Sequence, residues 1–598
     1  MNFENKLPKP ISKSIALIVF FLLTASQAFS QFTLLTDDIR GLRQGDATWT
    51  DFDADGDLDL MTFGDDTLAI IYTEFYENQD LSFKPFDVPS FPDVNDGALD
   101  WADYDNDGNM DMALMGFSLE DGILIKVLEY ENDFSDTELV FPNVYRGSVD
   151  WGDYNNDGQD DLLIVGQASN SNSSTRLFRQ EGGDFVEVEL PGVTGVSFGC
   201  AEWADYDGDG MLDFIISGVT GTASDIGSPV TELYRNTGDG FVQVFEGTFE
   251  GLEVGSIDWG DADNDGDLDL LITGLTKEKE GLPEDLQFTG VYINNITSFE
   301  LVETSLPAVI EGIAKWGDID NDGDLDILIS GDNVVEGRLS KVFANDALVF
   351  TEVFSTTGLG QTAGGWGDFN NDGFLDFFLN GQMSNLGLLG VVYLNDGAVP
   401  GRIAKVNSAP SVPTNVTAMQ SGSGIRIEWE PSVDDITEGS TLSYSVQIEK
   451  EGKIIVPALS NSNGSRMVVE IGNAGLNNFF SARITEMGTY TYKVQAIDNS
   501  FNASSFATGT IVIEDLLTSV DDLKNKTEVF VYPNPAVNGK LNLKNVPYGT
   551  SYGIYSVSGL LLTSGVVSQP IDVSALSAGT YLIVLEESKS MTKFHISR

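Results

Sequence analysis

The stretch that decides the fold starts at Trp49 and reads WTDFDADGDLDL through Leu60. It returns at Trp101 (WADYDNDGNMDM), Trp151 (WGDYNNDGQDDL), Trp203 (WADYDGDGMLDF), Trp259 (WGDADNDGDLDL), Trp316 (WGDIDNDGDLDI) and Trp366 (WGDFNNDGFLDF). Seven of the eight tryptophans occupy this one position, at intervals of 52, 50, 52, 56, 57 and 50 residues. A repeat of that length is the size of a four-stranded propeller blade and too long for a solenoid turn.

The text between motifs supports four strands per repeat. After each loop comes a short apolar run such as Leu268–Gly274, then one like Gly290–Asn294, then one like Ser298–Val302; the fourth is the strand that enters the tryptophan. No convincing 3.6-residue periodicity interrupts them. The expectation is an all-β protein: a seven-bladed β-propeller followed by two small β-sandwich domains. The seventh repeat passes through Gly390–Asn395 without a fourth strand, whereas Gln31–Leu35 reads as a fourth strand with no blade before it. The N-terminal strand is therefore expected to complete the last blade and cover its edge.

Numbering the Asp after Trp-x as position 1, oxygen-bearing side chains fall at positions 1, 3, 5 and 9, and glycine falls at position 6. The sets are Asp51, Asp53, Asp55 and Asp59; Asp103, Asp105, Asp107 and Asp111; Asp153, Asn155, Asp157 and Asp161; and Asp205, Asp207, Asp209 and Asp213. They continue as Asp261, Asp263, Asp265 and Asp269; Asp318, Asp320, Asp322 and Asp326; and Asp368, Asn370, Asp372 and Asp376. Calcium takes six to eight oxygens at about 2.3–2.6 Å, and alternate residues of a tight loop aim their side chains at one point. An EF-hand would need Glu at position 12, where Thr62, Leu114 and Ile164 stand. A self-contained Asx turn would account for one such loop. Seven, each with carboxylates at fixed positions, would repel themselves without a cation. Up to seven calcium ions are expected, most weakly held at Asn155 and Asn370.

The motif D-x-D/N-x-D-G-x-x-D in repeats of this length resembles the FG-GAP/VCBS repeats of integrin α-subunit propellers and of many bacterial surface proteins. That resemblance implies an added ligand, the main-chain carbonyl of position 7, here Asp57, Asn109, Gln159, Met211, Asp267, Asp324 and Phe374. It says little about function, because such folds host adhesion, glycan binding and occasional lyase chemistry.

Charge narrows the partners. The 598 residues carry a net −62, and the segment 31–406 holds 74 acids against 15 bases. A surface this acidic repels phosphate backbones and anionic lipid, so nucleic-acid and membrane-surface binding are not expected. The one cysteine, Cys200, reads as a buried structural thiol, and the one histidine, His595, lies four positions from the end. Nucleophile–histidine and histidine–metal centres are thereby excluded from the body of the chain.

The ends and linkers complete the domain plan. Lys6, Lys9 and Lys13 precede the apolar run Ile15–Leu23, and Ala28-Phe29-Ser30 offers a cleavage site, so residues 1–30 read as a secretory signal. No later run is long and apolar enough to form a transmembrane helix. The propeller is assigned to 31–406, and Pro410 and Pro413 mark a stiff linker. Residues 409–514 resemble a fibronectin type III domain, on Trp429, Tyr444–Ile448 and Gly488–Ala496, with Trp429 and Tyr492 as core and Tyr490 as a corner tyrosine. Such modules act as spacers or weak binders. Residues 524–598 resemble the C-terminal sorting domain of type IX secretion, on Tyr532-Pro-Asn-Pro535, Gly539–Leu543, Tyr555–Gly559 and Leu576–Leu582. That implies a Bacteroidetes-type source, the type IX machinery as partner, and a secreted or outer-surface location.

The function expected is that of a binding or adhesion protein for an extracellular glycan or protein, and not an enzyme. The alternatives are a calcium-assisted polysaccharide lyase or hydrolase, or a structural surface protein. Asp100, Asp150 and Asp258, just before tryptophans, fit a catalytic role but read more simply as scaffold. The dissimilar connections Gln167–Thr175, Val219–Val230 and Leu275–Thr289 are expected on the rim opposite the ion loops, where they read either as tolerated insertions with no partner or as a binding face.

Overall fold

The structure, a computed structural model, describes residues 31–596 except 87, 89–90, 132–133, 223–224, 278–285, 398–406, 422–423, 462, 515–529 and several short stretches between 538 and 590. The expected signal at 1–30 lies outside the described residues. Every regular element among the described residues is a strand.

Each tryptophan motif bridges the first and second strands of an antiparallel sheet. The first sheet runs Ala47–Thr50, Asp59–Asp65, Ile71–Gln79, Ser82–Phe86, and the second Asn95–Ala102, Asp111–Ser118, Gly122–Tyr130, Phe134–Asp136. The second strand of each reads as an unbroken apolar run because both of its faces are covered by neighbouring sheets. All seven residues of Asp59–Asp65 are buried, as are the first seven of Asp376–Met383. Fourth strands such as Ser82–Phe86 and Asp184–Val188 lie at the outside and hold only half-buried and exposed residues. The result is a β-propeller.

The two ends of the repeat region meet. Phe32–Ile39 pairs antiparallel with Leu388–Asn395, from Phe32 opposite Asn395 to Ile39 opposite Gly390. Phe32 is buried, with its ring 5.0 Å from that of Phe377 and 5.1 Å from that of Phe354. Trp49 of the first sheet stacks on Phe369 of the last, at 3.8 Å between ring centres. This aromatic contact recurs between neighbours, with Tyr104 on Trp151 and Tyr154 on Trp203.

Polar links also tie one sheet to the next. The amide ending a third strand donates to a carbonyl in the loop of the preceding sheet: Asn78 to Phe369, Gln180 to Tyr104, Asn236 to Tyr154, Asn294 to Tyr206 and Asn395 to Ile319, at 2.7–3.0 Å. The acid before a tryptophan accepts the main-chain N–H of the next sheet's tryptophan. Asp100 takes Trp151, Asp150 takes Trp203 and Asp258 takes Trp316, each at 2.7 Å. These three aspartates are occupied as scaffold.

Two expected loops prove to be largely strand. Asp213–Thr222 pairs with Asp225–Asn236, and Asp161–Ala168 with Ser173–Glu181. The β-branched and hydroxylated residues of these connections continue the ladder as long hairpins. Within Leu275–Thr289, residues 278–285 lie outside the described residues.

Residues 414–513 fold as two facing sheets, Thr414–Ser421, Gly424–Glu430 and Phe479–Arg483 against Lys453–Val456, Ser443–Lys450, Gly488–Ile497 and Ala507–Ile513. Trp429, Tyr444, Val446 and Tyr492 fill the space between them, and Tyr490 Oη donates to the carbonyl of Glu486 at 2.7 Å. The spacer expected here is not what the chain builds: this unit lies directly on the loop rim of the propeller. Thr50 Oγ1 and Asp51 N both donate to the Met467 carbonyl at 3.0 Å. Met467 and Val468 are buried in a propeller cluster with Phe52 and Trp101. A proline-bearing linker fixes how the chain leaves one domain, not what the next domain packs against. The final strands, from Phe530 to Ile596, enclose a separate core that includes Leu541, Ile554, Ile583 and Phe594.

Because Phe32 seals the junction between the chain's first and last propeller strands, Phe32→Ala should cost about 3 kcal/mol of stability. Thr33→Ala on the exposed face of the same strand should leave it unchanged. Urea unfolding of the two variants against the parent measures the difference.

Candidate functional site

The seven loops share one hydrogen-bond plan. The position-1 carboxylate accepts the N–H of the position-6 glycine, from Gly56 to Asp51 in the first loop through Gly373 to Asp368 in the last, at 2.7–3.0 Å. These glycines lie at φ between 85° and 103°, where a side chain would be strained. The position-9 carboxylate accepts an N–H at the end of the third strand, for example Asn78 to Asp59 and Asn395 to Asp376, at 2.6–3.0 Å throughout. Two of the carboxylates are therefore fixed by the main chain before any ligand arrives.

The remaining oxygens converge. Asp51, Asp53 and Asp59 each bring a carboxylate oxygen within 4.8 Å of the others. The same holds for Asp103, Asp105 and Asp111, for Asp205, Asp207 and Asp213, for Asp261, Asp263 and Asp265, and for Asp318, Asp320 and Asp326. Within these loops Asp51 Oδ1, Asp59 Oδ2, Asp111 Oδ2, Asp207 Oδ1 and Asp213 Oδ2 are buried acceptors with no hydrogen-bond donor. Fixed, desolvated, all-oxygen donor sets of this kind suit a hard cation. In the third and seventh loops the asparagine turns its amide nitrogen onto a carboxylate, Asn155 onto Asp161 at 3.0 Å and Asn370 onto Asp372 at 2.9 Å. Neither loop shows the three-carboxylate grouping among the described residues. Position 5 accepts the N–H of position 7 in its own loop, as Asp55 does from Asp57 and Asp372 from Phe374.

Position 4 carries a role that the motif reading passed over. Asn106, Asn156, Asn321 and Asn371 adopt φ of 53–61° and donate to the position-6 carbonyl of the following loop, Gly158, Gly210, Gly373 and Gly56 respectively, at 2.8–3.2 Å. Asn264 reaches Asp324 Oδ1 instead, at 2.8 Å. The signal was the recurrent Asn before Asp-Gly, since asparagine tolerates the left-handed region better than other side chains.

Burial in the loops disfavours the charged carboxylate, and the neighbouring aspartates add to the effect. Main-chain N–H donors oppose both only in part. Asp51, Asp103 and Asp261 are pushed up to about 7, Asp59, Asp269 and Asp376 to about 8, and Asp111, Asp161 and Asp213 to about 9. A cation at the focus of the loop would remove this penalty.

A cavity of about 560 Å³ runs along the propeller axis. Asp46, Asp100, Asp150, Cys200, Glu202, Asp258 and Lys315 line it from the first strands, and Glu470, Leu476 and Phe501 from the second unit. Lys315 Nζ sits 2.7 Å from Asp258 and 3.7 Å from Glu202. Burial works against the Lys315 ammonium, yet the two acids outweigh it and hold the group charged. Burial pushes Glu202 to about 8 despite Lys315. Cys200, half-buried on this wall rather than wholly enclosed, has its thiol pushed up to about 12 by desolvation. It is no nucleophile at neutral pH.

Raised carboxyl pKa values mean that the folded, cation-free protein holds protons which the unfolded chain releases above about pH 4. Stability from these groups is therefore fully present in acid and lost as pH rises through the folded values of about 7 to 9. In the presence of chelator, the melting temperature should fall steadily between about pH 5 and pH 9. A flat or rising profile from scanning fluorimetry would contradict the loop electrostatics.

Comparison with known proteins adds two family matches. Residues 153–216 match an FG-GAP-like repeat, and residues 530–597 match a secretion system C-terminal sorting domain. No curated protein matches. Among solved structures, the chain is similar to a fungal alcohol oxidase of the AA5 family in complex with copper, at 10% identity over 81% of this chain and 98% of that one, TM-score 0.42. It is also similar to the BP39L lectin from Burkholderia pseudomallei, at 9% identity over 59% and 96%, TM-score 0.38. The Aleuria aurantia lectin, described as a six-bladed β-propeller, aligns at 11% identity over 53% and 97%, TM-score 0.31. No helix among the described residues is long and apolar enough to cross a membrane. With its type IX sorting domain at the C-terminus, the chain is a secreted or outer-surface β-propeller protein.

Proposed function

We propose that this is a calcium-loaded, seven-bladed propeller that binds an extracellular glycan or protein, with a fibronectin type III-like second domain. The observation that carries the metal half is the set of buried, donorless carboxylate oxygens converging in the loops. Calcium is favoured over magnesium because each loop supplies several carboxylates, whereas magnesium keeps most of its waters and is ordinarily held by one or two.

The binding half rests on which rim is free. The ion loops join first and second strands, so they lie on one rim, and the second domain sits over them. The turns between second and third strands lie on the other. There Leu68, Leu119, Val335 and Leu386 stand 76%, 70%, 78% and 65% exposed at the turn tips of the first, second, sixth and seventh sheets, which are consecutive around a closed ring. The corresponding turn of the third sheet carries Ser169, Asn170 and Ser171. An apolar arc beside a polar one on a rigid rim is a surface suited to recognition. A catalytic reading has less support: Asp100, Asp150 and Asp258 are engaged with main-chain N–H groups, and the second domain lines one end of the axial cavity.

Two outcomes test this. Saturating calcium should raise the melting temperature of the mature protein, each site contributing about 2.7 kcal/mol at a hundredfold excess over Kd. A melting temperature indifferent to calcium and chelator contradicts the metal assignment. On glycan and extracellular-protein arrays, replacing Leu68, Leu119, Val335 and Leu386 by serine should abolish capture while leaving calcium-dependent melting intact. Full capture by that variant would move the binding face elsewhere.

A further inference from the structure

The second domain touches six of the seven ion loops, and Asn407, just ahead of it and hydrogen-bonded to its Asp498, touches the seventh. Ile454 lies against Gly108, the Ile455 carbonyl against Gly158, Phe479 against Gly210, Ser440 against Gly266, Ile436 against Gly323 and Asn407 against Gly373. In the first loop, Met467 takes the N–H of Asp51. The fit is close. A Cβ at Gly158 would stand 2.3 Å from the Ile455 carbonyl oxygen, and one at Gly210 2.8 Å from the Phe479 ring. One contact reaches an ion-loop carboxylate itself: Asn477 Nδ2 donates to Asp205 Oδ2 at 2.7 Å. On the sixth loop, Ser500 Oγ donates to Asn321 Oδ1 at 2.7 Å and Asp318 N donates to the Asn499 carbonyl.

The charges on the two sides do not match as proteins. Each loop carries three to five carboxylates, whereas the touching face of the second domain is mostly apolar or neutral. That domain as a whole has 11 acids against 6 bases between Asn407 and Glu514. Lys453, beside Asp105, and Arg483, whose main-chain N–H meets the Asn156 carbonyl, are too few to neutralise the seven loops, and docking removes water from them. Bringing an acidic body onto an acidic rim in this way is unfavourable unless a cation supplies the missing charge.

We propose that the ion loops are the docking surface for residues 407–514, and that bound calcium is the counter-charge that holds this domain down as a cap over one end of the axial cavity. The proposal rests on the calcium reading above and adds a consequence to it: loop occupancy and cap docking are linked. By reciprocity, a docked cap tightens calcium binding by the same factor as calcium favours docking.

The test is hydrogen–deuterium exchange of the full mature chain in calcium and in chelator, with ion content of the same samples read by native mass spectrometry. In calcium, the segments 436–440, 454–456 and 477–483 should exchange slowly. In chelator they should exchange at least about tenfold faster, while the domain's own core strands Gly424–Glu430 and Ser443–Lys450 stay protected. Phe479→Asp should expose the same segments even in calcium and weaken apparent calcium affinity by a like factor. Asn477→Ala, which alters no core residue, should shift both in the same direction by less. Ions bound with unchanged exchange, or segments protected in verified ion-free protein, would overturn the linkage while leaving the metal sites standing. Absence of bound ions would overturn the metal reading, and the linkage with it.

Discussion

Everything in this molecule is arranged around carboxylates that do not repel one another apart. Two like charges about 4 Å apart at a protein surface oppose each other by about 4 kcal/mol, and five of the loops bring three carboxylate oxygens within 4.8 Å of one another. The loops tolerate this because main-chain N–H groups grip positions 1 and 9 from both sides of the turn. That grip leaves an inner set of oxygens without protein donors, which a cation at the focus of the loop would satisfy. Twenty-six aspartates are thus concentrated in the loops of one rim, where they have a structural task.

The loops are also the joints of the ring. At Tyr104, Tyr154 and Phe369 position 2 stacks on the next tryptophan, in four loops the position-4 asparagine reaches the next loop's glycine carbonyl, and the position-2 carbonyl of most loops receives the amide at the end of the next sheet's third strand. A change in one loop is therefore passed sideways to its neighbours. The same rim carries the second domain, so carboxylate clusters, sheet-to-sheet contacts and domain docking share one layer of the structure. The far rim is left with turns that are free to differ, apolar at Leu68, Leu119, Val335 and Leu386 and polar elsewhere.

Much of this was legible in the sequence because it repeats. Seven tryptophans at near-constant spacing betray the sheets, a stray strand at Phe32 betrays its pairing with Leu388–Asn395, and the recurrent Asp betrays the carboxylate clusters that five of the loops form. The asparagines at position 4 and at third-strand ends also repeat. They were missed because a link between sheets has no local signature beyond the residue itself. Docking of the second domain was not legible at all: Ile455, Met467 and Phe479 look like ordinary loop and strand residues, and only tertiary geometry sets them against glycines far away in the chain. The supposed loops at Val219–Val230 became strand because a hairpin can lengthen without changing its composition.

The central claim, that these loops are cation sites, is tested most directly by a crystal structure of the mature protein grown with a lanthanide in place of calcium. The account predicts anomalous peaks at the focus of the loops, each with side-chain oxygens of positions 1, 3 and 9 within about 2.3–2.6 Å, strongest where all four positions are Asp. Loops that keep this fold with no peak, their carboxylates satisfied by main-chain donors and water alone, would contradict it.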